Sequence, residues 1–151
     1  MIFIPNSQEW TQYISDILLE HIGVRSTKDM RAILWVNNES KIVEWVVAYD
    51  GFIGKTCQRH VVNLMGKMTP KQLLWAAFDY PFNQAGLSCV MGIVNSRNTD
   101  AMRYDTKLGF KEINRLKGMH DNGGDIVLLT MQKADCRWIK ERKYEKQLVA
   151  A

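Results

Sequence analysis

The sequence predicts an α+β domain: a central mixed sheet with an antiparallel N-terminal meander and one parallel strand pair, flanked by helices. Three observations predict it. The stretch Leu87 to Phe110, LSCVMGIVNSRNTDAMRYDTKLGF, passes from a β-branched apolar run to an asparagine-rich break, and then to a segment with Ala101, Tyr104 and Leu108 at helical spacing. Upstream, three strand-like runs follow one another through short turns, which makes a meander. Between the third of them and Leu87 to Val94 lies a helix, the crossover that two parallel strands need.

In chain order, Phe3 and Ile4 end a short first strand at Pro5. Ser7 caps a helix through about Ile22, where Trp10, Tyr13, Ile14, Ile17, Leu18 and His21 share a face, and Gly23 stops it. Ser26 to Asp29 is polar loop. Ala32 to Val36 is a strand, Asn37 to Ser40 a turn, Ile42 to Ala48 a second strand, and Asp50-Gly51 the turn after it. In the strand Thr56 to Leu64, Cys57, Arg59, Val61 and Asn63 share one face, while Gln58, His60, Val62 and Leu64 share the other. Thr69 and Pro70 start the crossover helix, Thr as cap and Pro in first position, and Asp79 to Phe82 with Gly86 end it. Asn98 caps the next helix, Gly109 ends it left-handed, and Phe110 folds back onto the core. Lys111 to Lys117 and Ile126 to Met131 are two further strands around the loop Met119 to Asp125, and the last fifteen residues form an amphipathic helix.

With 151 residues and 46% hydrophobic content, the chain supports one domain, 1–133, followed by a basic tail, 134–151. The net charge of +4 suits an anionic ligand and argues against a nucleic-acid track; Arg137, Lys140, Arg142, Lys143 and Lys146 are diluted by Glu141 and Glu145. Cys57, Cys89 and Cys136 form no C-x-x-C pair, and with three scattered histidines there is no metal spacing. Cys57 and Cys89, in apolar strands without a nearby base, are expected to be structural. No signal-like start and no apolar run of about 18 residues is present, so no membrane partner is expected and the location is expected to be cytoplasmic.

The unit Asn98-Thr99-Asp100-Ala101 followed by Lys107-Leu108-Gly109-Phe110 resembles the C-terminal motif of the GNAT acetyltransferase superfamily, N-x-x-A and then K-L-G-F. The element order agrees with that family except for one helix before the second strand, where the family usually has two. AYDGF, WAAFDYPFNQAG and the late CRW are similar to a bacteriophage-encoded GNAT-like branch, which implies a host-cytoplasmic or virion setting. The resemblance implies acetyl-CoA as cofactor in a cleft where two parallel strands splay. Its arm would lie along Val62, Asn63 and Leu64, its pyrophosphate on the loop and helix start at Gly66, Lys67, Thr69 and Lys71, and Asn98 would contact the arm.

This loop departs from the family's Q/R-x-x-G-x-G/A, since Gly66 is its one glycine and Pro70 lacks an amide. The family's general acid is a tyrosine seven residues after the asparagine. Here that position is Asp105, and Tyr104, one residue early, faces about 100° away on a helix and is open to a packing role or a proton-donor role. His60, on the strand that would floor the cleft, is open to a role as general base or to plain packing. Two functions are therefore expected as alternatives: an acyl-CoA-dependent N-acyltransferase acting on a small-molecule or protein amine, or a catalytically inactive GNAT-like phage protein whose tail binds a phage or host protein.

Overall fold

The computed structural model describes residues 1–140. Seven strands form one sheet: β1 (Ile2–Phe3), β2 (Arg31–Val36), β3 (Val43–Ile53), β4 (Thr56–Asn63), β5 (Cys89–Asn95), β6 (Lys111–Leu116) and β7 (Ile126–Gln132). Three helices accompany them: α1 (Gln8–Ile22), α2 (Lys71–Asp79) and α3 (Thr99–Leu108). The strand order is β1-β2-β3-β4-β5-β7-β6, antiparallel throughout except for the central β4–β5 pair. The expected α+β mixed sheet and element order are observed.

Alternation along β3 sorts the core into two layers. Val46 and Ala48 join Ile14, Ile17 and Leu18 of α1 beneath one face. Trp45, Val47 and Tyr49 join Leu73, Phe78, Leu108 and Phe110 on the other, the face covered by α2 and α3. Local signals hold at α1 and α3. Ser7 and Asn98 accept N–H bonds from Trp10 and Ala101, and Gly23 and Gly109 end the helices at φ of +67° and +113°.

Several local expectations are corrected. Asp50-Gly51 is no turn: β3 runs on to Ile53 and reverses at Gly54-Lys55, because the Asp29 carboxylate accepts the Gly51 and Phe52 N–H groups across an irregularity in the β3–β4 register. Thr69 does not cap α2; Pro70 occupies the cap with no side-chain bond. The α-helix ends at Asp79, as expected, but the chain runs on as a π-helical turn, Tyr80–Gln84, before Gly86. Pro81 is the cause: it has no N–H for the Ala77 carbonyl, and the buried Tyr49 hydroxyl donates to that carbonyl instead. Asn83 and Gln84 then both donate to the Asp79 carboxylate, which ties the turn together.

Of the expected C-terminal helix, Trp138–Lys140 form a 3-10 turn and residues 141–151 lie outside the described residues. Cys136 is fully buried in the α2–α3 core, with Trp138 and Ile139 packed against it. Among the described residues, no helix is long and apolar enough to cross a membrane, and no group of three or more His, Cys, Asp or Glu could hold a metal ion.

Candidate functional site

The parallel pair is short. Strand β4 meets β5 at Thr56↔Cys89, Cys57↔Val90 and Gln58↔Met91, and beyond these the two strands share no register although each runs on, to Asn63 and Asn95. Main-chain direction follows from the outer neighbours. Leu64 donates to Glu44, directly opposite on the β3 side, so even-numbered residues of β4 bond toward β3 and odd-numbered ones face β5. Likewise Ser96 donates to Asp125, which leaves the odd-numbered residues of β5 facing β4. The peptide groups of Val61 and Asn63 on one side, and of Ile93 on the other, therefore look into a gap with no strand partner.

A charge pair sits at the apex. Arg59 and Gly92 are the first residues past the last register pair, and Arg59 Nη1 lies 3.4 Å from Asp105 Oδ1 of α3. A Cβ at position 92 would stand 3.8 Å from Asp105 Oδ2, in ordinary contact, so the carboxylate lies directly over the point of divergence. The guanidinium lies between the Phe78 and Phe110 rings, at 5.2 and 5.4 Å, and its buried Nε has no partner among the described residues. Burial pushes the Asp105 carboxyl above its ordinary range, and Arg59 opposes the rise.

The wall on the same face is aromatic and polar. Tyr104 stacks on Trp45 at 6.2 Å, and its hydroxyl is 3.0 Å from Thr69 Oγ1, joining α3 to the loop before α2. In that loop Gly66 adopts φ of +64°, the Lys67 carbonyl accepts from Asn63 Nδ2 at 2.9 Å, and Lys67 Nζ is 2.5 Å from Glu44 Oε1. The first helical bond of α2 runs from Leu74 to Pro70, so the amides before it open toward the loop, beside exposed Lys71.

No family model matches the chain, and no curated protein matches it. Solved structures do. A chimera of the spermidine N-acetyltransferase SpeG from Vibrio cholerae and hSSAT has a TM-score of 0.72 at 14% identity, over 89% of this chain and 97% of its own. The spermidine/spermine N-acetyltransferase SpeG from Vibrio cholerae in complex with manganese ions gives 0.67 at 15% identity, over 89% and 92%. Spermidine N-acetyltransferase from Vibrio cholerae in complex with CoA and spermine gives 0.63 at 15% identity, over 87% and 78%. The chain has the GNAT fold. At these identities the likeness is one of architecture.

Within this GNAT fold, the residues expected from sequence separate. Tyr104, Asp105 and Thr69 meet on the α2–α3 face, Asn63, Gly66 and Lys67 lie along the end of β4 and the loop that follows, and Lys71 opens α2. Asn98 spends its side-chain oxygen on the Ala101 N–H as the α3 cap. Val62 and Leu64, expected beside the cofactor arm, have main chains turned to β3, and Val62 is buried in the α1 layer. His60 points into that same layer, where Nε2 lies 2.7 Å from Asp50 Oδ1 while Asp50 Oδ2 accepts the Thr27 N–H. It stands on the opposite face of the sheet from Tyr104 and Asp105. Burial pushes the Cys57 thiol up to about 12, so it is inert at neutral pH.

Sequence reasoning missed Arg59, Val61, Gly92 and Ile93. Gly92 interrupts an otherwise apolar strand, and that interruption was the readable signal; Arg59 stands among Gln58, His60 and Asn63 in a mixed strand and gave none. Which peptide groups face the gap depends on sheet register, which no local pattern carries.

Proposed function

We propose that this chain is an N-acyltransferase that takes its acyl group from a CoA thioester, with acetyl-CoA as donor, and gives it to a small-molecule or protein amine. The observation that carries the reading is the parting of β4 and β5 after Gln58 and Met91, with peptide groups aimed into the gap. A CoA thioester supplies an activated acyl group. The residues present fit such a group along the gap: Val61 and Asn63 offer main-chain N–H donors to an extended arm, and Val61 N–H, nearest the apex, can polarise a carbonyl placed there. At the apex, Asp105 can hold a proton at Oδ2 beside Gly92 at a higher pH than an ordinary carboxyl does. Tyr104 holds a second exchangeable proton, shared with Thr69. Lys71 and the uncapped start of α2 favour phosphate oxygens. With Lys67 engaged by Glu44 and Pro70 at the cap, that end carries less binding energy than the gap does.

Calorimetric titration with acetyl-CoA tests the reading, followed by an acetylation assay with spermidine, an acceptor of the kind bound by a structural neighbour. Saturable heat and amine-dependent release of free CoA thiol are expected. Absence of binding at millimolar acetyl-CoA would overturn it. The Thr69–Tyr104 bond, the Pro70 cap and the Lys67–Glu44 pair favour a second reading, a GNAT-fold protein of phage origin that binds a partner without catalysis, and the same titration decides between the two.

A further inference from the structure

A groove at the far edge of the sheet is built from a strand that ends early. Strand β1 pairs with β2 at Ile2↔Trp35 and Phe3↔Leu34 and then departs through Pro5, while β2 begins at Arg31. Val36 donates to the Met1 carbonyl, so even-numbered residues of β2 face β1, and the Ala32 peptide group faces an edge that β1 has left. The first turns of α1 wall the groove on one side, with the end of α2 and its π turn on the other. The cavity is about 630 Å3, floored by Ile14, Ile33 and Ala76 and bordered by Arg31, Tyr80 and Gln84. That is within the size range of small-molecule sites. Strand β3 separates it from β4 and the gap described above.

Its charge is one-sided. No Asp or Glu lines the groove, and Arg31 is the single charged residue in its lining. The guanidinium donates to the Met30 carbonyl at 3.1 Å and, among the described residues, makes no ion pair. Its field reaches the groove wall, where it opposes the burial that raises the Tyr80 phenol. A planar fork with donors to spare matches a carboxylate in two parallel bonds, whereas a phosphate dianion would ask for more positive charge than one side chain gives.

We propose that this groove binds a small organic carboxylate with an apolar body, the carboxylate on Arg31 and the body against Ile14, Ile33 and Ala76. The Ala32 peptide group adds a hydrogen-bonding position beside it. The site is separate from the CoA gap and stands whether or not the chain transfers acyl groups.

Amide chemical-shift titrations of the full chain with octanoate, octylamine and inorganic phosphate test this. Octanoate should give saturable shifts centred on Ala32, Tyr80 and Gln84, and octylamine and phosphate should give none there. Arg31→Gln should weaken octanoate by about tenfold or more, the equivalent of losing a charge-assisted pair. Thr11→Glu, which sets a like charge on the exposed face of α1 in the groove wall, should abolish binding while the melting temperature holds. No shift at millimolar octanoate, an equal response to octylamine, or wild-type affinity in Arg31→Gln would overturn the proposal. A response to phosphate alone would reassign the groove to inorganic anions and overturn it equally.

Discussion

Tyr49 donates its hydroxyl to the carbonyl of Ala77, a group that would be bonded within the helix if residue 81 were anything but proline. Both residues are buried, so the bond cannot be replaced by water. Tyr49→Phe should cost about 1–3 kcal/mol, the penalty for an orphaned buried acceptor. Pro81→Ala in that background restores an N–H at the right position and should recover part of the loss. A double-mutant cycle by urea unfolding checks this, and additive single effects would show that the two positions do not share the carbonyl.

Gly109 closes α3 at φ of +113°, and a Cβ there would stand 3.2 Å from Met131 Cε. Its backbone conformation strains any side chain, and a methyl there would also press on the end of the Met131 side chain. Gly109→Ala should destabilise by about 1–3 kcal/mol, measured by the same unfolding transition. Gly23→Ala, at φ of +67° with no atom near the added methyl, should cost less, which separates backbone strain from crowding.

These positions show what was legible. Ser7, Gly23, Asn98 and Gly109 act within three or four residues of themselves, so α1 and α3 could be read directly, and with them the order of the sheet's strands along the chain. Where tertiary contact overrides a local signal, the reading is incomplete: Asp29 absorbs the turn tendency of Gly51, and Tyr49 holds the Ala77 carbonyl so that a π turn carries the chain from α2 through Pro81. Tyr104 and Asp105 were legible as neighbours on one helix. That Asp105 takes the apex position while Tyr104 turns to Thr69 depends on where two distant strands part.

The segment after β7 belongs to the core. Cys136 is fully buried, Trp138 Nε1 donates to the Leu108 carbonyl at 2.8 Å, and Arg137 Nη2 donates to the Lys107 carbonyl at 2.6 Å, so two open carbonyls at the end of α3 are satisfied from here. Truncation after Asp135 should lower stability by about 3 kcal/mol or more, as for loss of a large packed side chain. A melting temperature equal to that of the full chain would show that this segment adds nothing to the domain.

Arg59 and Asp105 give the fold a pH signature. Because burial raises the Asp105 carboxyl, the folded chain holds this proton more tightly than the unfolded one. The stabilisation is therefore complete below the ordinary carboxylate range and is lost as pH rises through the raised value. Arg59 limits the loss by favouring the ionised form. In Arg59→Met that restraint is gone, so stability should fall more steeply than in wild type as pH rises above the ordinary carboxylate range. Asp105→Asn removes the titration and should flatten the curve. Urea unfolding at several pH values distinguishes the three chains. A slope in Asp105→Asn equal to that of wild type would assign the dependence elsewhere and remove Asp105 as the residue that keeps a proton at the apex of the gap.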